Sequence, residues 1–146
     1  MTILKGKDGV THINVFSRGE TELGRMMSNF AHMPMVLQDG GSFESLEGYW
    51  YWLGNKREEM RGLYGYLAKK RGREAPMINV LPEDIFQMKI GVAMRAKVEQ
   101  HSKLKQALKE STLPFAHYYV FSGVRKDAGF TWITGEWEKI RQEIKT

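Results

Sequence analysis

Hydrophobic and polar positions recur with two different periods along the 146 residues of the chain, near two at the ends and near 3.6 in the middle. At the start, residues 2–5 and 11–16 carry β-branched side chains. Ile13 and Val15 are spaced by two, and Lys7-Asp8-Gly9 lies between the runs as a turn, so the pattern predicts a hairpin. Residues 17–34 are polar and turn-rich, with Ser28, Asn29 and Pro34 close together, and read as a structured loop. Met35-Val36-Leu37 is a short strand followed by the turn residues Gln38-Asp39-Gly40-Gly41.

The stretch from Ser42 to Trp52 opens as a helix should. Ser42 or Ser45 can accept a hydrogen bond from a free first-turn N–H, and Glu44 and Glu47 suit the positive end of the helix dipole. From there Leu46, Tyr49, Trp50 and Leu53 recur at three and four residues, which sets Glu47 at the edge of an aromatic stripe. Met60, Leu63, Tyr64 and Leu67 extend helical spacing over residues 57–70, although Gly62 and Gly65 each lower the propensity by up to about 1 kcal/mol. Pro82-Glu83-Asp84 then opens the longest helix, which runs to about His101. At one hundred degrees per residue its apolar arc holds Ile85, Phe86, Ile90, Val92, Ala93 and Ala96, with Gln87, Gly91 and Arg95 outside it. Lys89 and Lys97 fall inside that arc, where each is either a stem snorkelling to water or a functional amine.

Ser102 caps a short helix with Leu104, Ala107 and Leu108 inward, and residues 117–121 give the clearest strand signal in the chain. A loop over residues 122–129 follows. Residues 133–144 form an amphipathic helix with Ile133, Trp137, Ile140 and Ile144 inward and Glu136, Glu138, Lys139 and Arg141 outward. The fold class is therefore α+β: a mainly helical single domain over residues 1–146, with at least four helices and a small sheet joining the N-terminal strands to residues 117–121.

Composition narrows the chemistry. A hydrophobic content of 42% suits one globular domain, and the absence of cysteine removes disulfides, thiolate nucleophiles and zinc–thiolate sites. The first nine residues hold Lys5, Lys7 and Asp8 without an apolar core, and no run approaches the ~18 apolar residues of a membrane span, so a cytoplasmic protein without membrane association is expected. Twenty-two basic against 17 acidic residues give a net charge of +5. Much of that excess sits in Lys69, Lys70, Arg71 and Arg73, which read either as a solvated helix end or as a weak contact for a polyanion. No glycine-rich phosphate loop, histidine pair at ligand spacing or nucleophile elbow is present, so no metal or cofactor is expected. What remains is acid–base or amine chemistry, for which Glu47 and a lysine are singled out by position.

Four blocks then carry a resemblance. Ile13-Asn14-Val15-Phe16 through Ser28-Asn29-Phe30 and Pro34, Ser45-Leu46-Glu47 with Tyr49 and Trp50, residues 93–101 from Ala93 to His101, and Gly129 to Arg141 follow in the order and spacing of the NADAR family, named for its association with NAD and ADP-ribose. Members are N-glycosidases that cleave the bond between ribose C1 and a nitrogen, in phosphoribosylamino compounds or in ADP-ribosylated guanine of nucleic acids. The resemblance implies Glu47 as the acidic catalyst, Lys97 as the candidate amine, and a ligand pocket shaped by Ser28, Asn29 and Phe30 together with Tyr49, Trp50 and Arg95. It also implies a ribosylated small molecule or ADP-ribosylated nucleic acid as partner. The His, Gln and Lys that follow the family's catalytic Glu are replaced by Gly48, Tyr51 and Gly54. Phe121-Ser122-Gly123 stands in place of a Trp-Gly-x-Gly loop, and Thr131 in place of an Asn. Two classes follow: an N-glycosidase, or a catalytically inactive module that binds a nucleotide, ADP-ribose or a protein.

Overall fold

The computed structural model describes residues 6–146, so the expected strand at residues 2–5 lies outside the described residues. In chain order the elements are β1 (Ile13–Asn14), α1 (Glu22–Met27), β2 (Met35–Leu37), β3 (Gly41–Phe43), α2 (Leu46–Asn55), a 3-10 turn (Glu58–Gly62), α3 (Gly65–Glu74), α4 (Glu83–Gln100), α5 (Ser102–Glu110), β4 (Phe115–Ala116), β5 (Tyr118–Phe121), β6 (Val124–Asp127) and α6 (Thr131–Lys145). This is the expected mixed, mainly helical fold. The chain divides into two compact units, residues 6–28 with Lys103–Thr146, and Asn29–Ser102.

In the first unit β1 runs parallel to β4, with Ile13 opposite Phe115 and Asn14 opposite Ala116. The expected pairing of the N-terminal strand with residues 117–121 is thus corrected. The Asn14 side chain takes both backbone groups of Tyr118 instead: its Nδ2 donates to the Tyr118 carbonyl at 2.9 Å and its Oδ1 accepts from the Tyr118 N–H at 3.0 Å. A side-chain amide therefore replaces one step of the ladder. β5 pairs antiparallel with β6 across Ser122-Gly123, whose φ values of 48° and 78° are those of a tight two-residue hairpin turn, so residues 122–129 contain a strand where a loop was expected. The expected loop over residues 17–34 likewise contains α1, because the Thr21 hydroxyl accepts from the Gly24 N–H and Leu23 and Met27 are buried. Leu104 and Leu108 of α5 and Ile133, Trp137 and Ile140 of α6 complete the buried set. Ala107 and Ile144 are half-buried, and Arg141, expected outward, is buried.

In the second unit β2 and β3 form a hairpin with Met35 opposite Phe43. Ser42 lies in β3, and the helix start belongs to Ser45, whose hydroxyl accepts from the Gly48 N–H at 3.0 Å and donates to the Leu63 carbonyl at 2.9 Å. Leu46, Tyr49 and Leu53 of α2 are buried. The single helix expected over residues 57–70 is broken into the 3-10 turn and α3. Gly65 sits at φ 63°, outside the right-handed region, and the Tyr64 backbone before it is extended. α4 follows its predicted bounds closely, but its apolar face is turned from the expected arc: Ile90, Gly91, Ala93, Met94, Lys97 and Val98 are buried while Val92 is 59% exposed. Lys89 reaches Asp39 at 2.5 Å with its side chain 27% exposed. Lys97 is fully buried, so its ammonium does not snorkel to water. No helix among the described residues is long and apolar enough to cross a membrane.

Candidate active site

The first turns of α2 and α3 are sewn to one short segment. The Glu47 N–H donates to the Asn29 carbonyl at 2.9 Å, and the Gly65 N–H donates to the Phe30 carbonyl at 3.0 Å. Helix starts leave backbone donors without intrahelical partners, and here two of them fix Asn29 and Phe30 beside Glu47. The sequence placed these three residues in one site, and the structure brings them together.

The Glu47 side chain faces the same side of α2 as Trp50, Tyr51 and Gly54, which lie three, four and seven residues on. It is buried, yet among the described residues its carboxylate makes no hydrogen bond and no ion pair. Burial pushes its pKa up to about 7, against the pull of the Lys69 and Arg73 charges on α3. The Tyr51 hydroxyl pKa is raised by burial first and by the Glu47 charge second, with the Arg73 charge acting the other way. α3 can approach this closely because residue 72 is glycine: a Cβ there would lie 2.1 Å from Cγ of the Tyr51 ring. The Lys69 ammonium stands 6.0 Å from the centre of the Phe30 ring. An acid titrating near neutrality, flanked by two cations and an aromatic ring, can deliver and take back a proton.

The remaining candidates fall elsewhere. Ser28 is buried and its N–H closes α1 on the Gly24 carbonyl. Tyr49 faces away from Glu47, against Phe43 and Trp52, and burial together with Asp39 raises its pKa to about 12. Trp50 meets Phe86 of α4 edge-on, with ring centres 4.7 Å apart. Arg95 donates to the Gly91 carbonyl one turn back at 3.1 Å. Burial lowers the Lys97 pKa to about 7, but no hydrogen bond or ion pair joins it to Glu47. Lys70 and Arg71 are exposed. Tyr51 and the approach of Lys69 and Arg73 to Glu47 were missed from the sequence. The signal available was spacing: Glu47 with Tyr51, and Lys69 with Arg73, are each four residues apart on one helix.

The α+β fold has a solved counterpart. The chain matches the NMR structure of the E. coli protein YbiA, a NADAR-family protein, with a TM-score of 0.66 and 21% sequence identity over 99% of this chain and 93% of that one. At that identity the likeness shows the fold, which is YbiA-like along almost the whole chain. No protein-family model and no curated protein matches the sequence.

Proposed function

We propose that this chain is an N-glycosidase of the NADAR type, acting on an ADP-ribosyl or phosphoribosyl compound, with Glu47 as its proton-transfer group. The observation that carries the proposal is a buried carboxyl without a hydrogen-bonding partner at the start of α2, raised to a pKa of about 7. The YbiA-like fold and the four matched sequence blocks support the choice of bond. Protonated Glu47 donates to the leaving nitrogen as the C1–N bond breaks and its electron pair goes to nitrogen. The ribose ring oxygen stabilises the developing cation at C1. Water then adds to C1, and the Glu47 carboxylate accepts its proton, which restores the acid. Because Glu47 and Lys97 are not joined, water is the favoured nucleophile, and capture of C1 by the Lys97 amine as a Schiff base is the competing route.

The test is a mass-spectrometric panel of ribosylated compounds, nucleic acid included. Release of the base or amine by the native protein and its loss in Glu47→Gln is the expected result, whereas full turnover by Glu47→Gln removes the assignment. Borohydride added during turnover is expected to leave Lys97 unlabelled. A second function, a binding module without turnover, is favoured by Gly48, Tyr51 and Gly54 where the family carries polar residues. Ligand-induced thermal stabilisation in the absence of any product would select it.

A further inference from the structure

Exposed apolar side chains are concentrated in one short span of the second unit. Of the thirteen large hydrophobic side chains exposed among the described residues, six fall within residues 64–80: Tyr64, Tyr66, Leu67, Met77, Ile78 and Val80. Local structure holds them outward. α3 is buried only at its two small residues Ala68 and Gly72, which leaves Tyr66 and Leu67 exposed in its first turn and Lys70, Arg71 and Arg73 exposed beyond them. The chain then leaves α3 through a segment bracketed by Pro76 and Pro82 and pinned to the end of α2. The Ile78 and Asn79 N–H groups donate to the Gly54 carbonyl at 2.9 and 3.0 Å, and the Asn79 side chain donates to the Leu53 carbonyl at 3.1 Å. Asn79 is thus turned toward α2 while its neighbours Ile78 and Val80 are 70% and 79% exposed. Polar contacts fix this segment in a place where its aliphatic side chains gain nothing from folding.

From this arrangement we infer that residues 64–80 form a docking surface for an acidic, apolar segment of a partner protein. The inference is independent of the assignment of Glu47. Charge selects the sign of the partner. The span carries Lys69, Lys70, Arg71 and Arg73 against the single carboxylate of Glu74, and among the described residues Lys70 and Arg71 make no ion pair, although Glu74 lies four and three residues on. The aliphatic side chains select its class. A single-stranded nucleic acid is gripped by rings that stack on its bases, and Leu67, Met77, Ile78 and Val80 offer none. A second copy of this chain docked by the same face would set Lys70 and Arg71 against their own counterparts. A segment with Asp or Glu beside Leu, Ile or Phe meets both demands. Its carboxylates take the Lys70 ammonium and the forked donors of Arg71, and its apolar side chains remove Ile78 and Val80 from water.

A displayed library of random peptides, panned against the native protein, tests this. Peptides with Asp and Glu around aliphatic or aromatic residues are expected to be enriched. Titrated by fluorescence anisotropy, the tightest of them should lose affinity about tenfold or more when Ile78→Ser is combined with Val80→Ser, and again when Lys70→Glu is combined with Arg71→Glu. Lys109→Glu, on the exposed side of α5 in the first unit, should leave the affinity unchanged. Binding should weaken as salt is raised. A peptide with lysine in place of its carboxylates should bind the Lys70→Glu, Arg71→Glu protein more tightly than the native one, which separates lost charge from lost folding. Failure to enrich any peptide, enrichment of neutral or basic ones, or affinity unmoved by the four substitutions would overturn the inference. Tighter binding of a single-stranded oligonucleotide or of phosphatidylserine vesicles through the same residues would do so too, as would dimerisation of the native protein that Ile78→Ser with Val80→Ser abolishes.

Discussion

Arg141 and Glu47, one in each unit, are exposed to nearly the same small extent, 9% and 8%, and are treated in opposite ways. Arg141 is bonded through both terminal nitrogens. Its Nη1 donates to the Ser111 hydroxyl at 3.1 Å and the Leu113 carbonyl at 2.8 Å, its Nη2 donates to the Glu138 carboxylate at 2.8 Å, and the guanidinium lies 4.2 Å over the Phe115 ring. Glu47 has cations near it and nothing bonded to its side chain among the described residues. A buried charge with an anion, two neutral acceptors and a ring around it holds segments together. A buried acid left unbonded loses hydration with no return to folding, which is the state the proposed proton-transfer role asks of it.

The largest effect expected from this contrast is on the structural side. Arg141→Ala leaves the Leu113 carbonyl and Ser111 hydroxyl without their donor and uncovers Phe115, and should cost about 3 kcal/mol in urea unfolding. A loss below about 0.5 kcal/mol, the range of ordinary surface substitutions, would put Arg141 on the same footing as a solvated charge.

Next comes the contact that brings α3 to the acid. Gly72→Ala would drive a methyl into the Tyr51 ring, and about 2 kcal/mol of stability should be lost by overpacking. Full retention of stability would mean that α3 approaches α2 less closely than described.

A pH-dependent effect is expected at Glu47 itself. Its pKa rises from 4.5 in the unfolded chain to about 7 in the native state, so between these values the native state binds more protons than the unfolded state. Native stability therefore falls as pH rises from about 4.5 to 7, and the penalty is complete above the native pKa. Glu47→Gln lacks this penalty and should be more stable than the native protein by up to about 3 kcal/mol at pH 9, with little difference at pH 4. Equal stability of the two proteins at pH 9 would show a carboxylate that is hydrated or bonded.

Much of the fold was legible because long periodic segments carry their own phase. α4 and α6 fall close to their expected bounds, and the Ser45 start of α2 was one of two caps offered by the sequence. The errors have physical causes. Arg141 was turned outward on account of its charge, although it lies four residues after Trp137 on the buried stripe. In α4 the expected arc held Ile90, Ala93 and Lys97, which are buried, but it took in the exposed Val92 for its hydrophobicity and left out the buried Gly91, which carries no hydrophobic signal. The pairing of β1 with β4 joins two-residue strands about a hundred residues apart, too short for period-two alternation to register. β6 was hidden by Arg125, Lys126 and Asp127, which side by side read as loop residues. At the site, Glu47, Asn29 and Phe30 were legible as sequence blocks. The partnership of Glu47 with Lys69 and Arg73 depends on how α3 lies against α2, which no local pattern encodes.

The central claim is that Glu47 is a buried acid poised near neutral pH. Carbon-13 labelling of glutamate side chains, with the Glu47 carboxyl signal assigned by its absence from Glu47→Gln, allows its titration to be followed directly. A midpoint near pH 7 is the predicted result. A midpoint at the ordinary glutamate value, about 4.3, would contradict the account and leave the start of α2 without its acid.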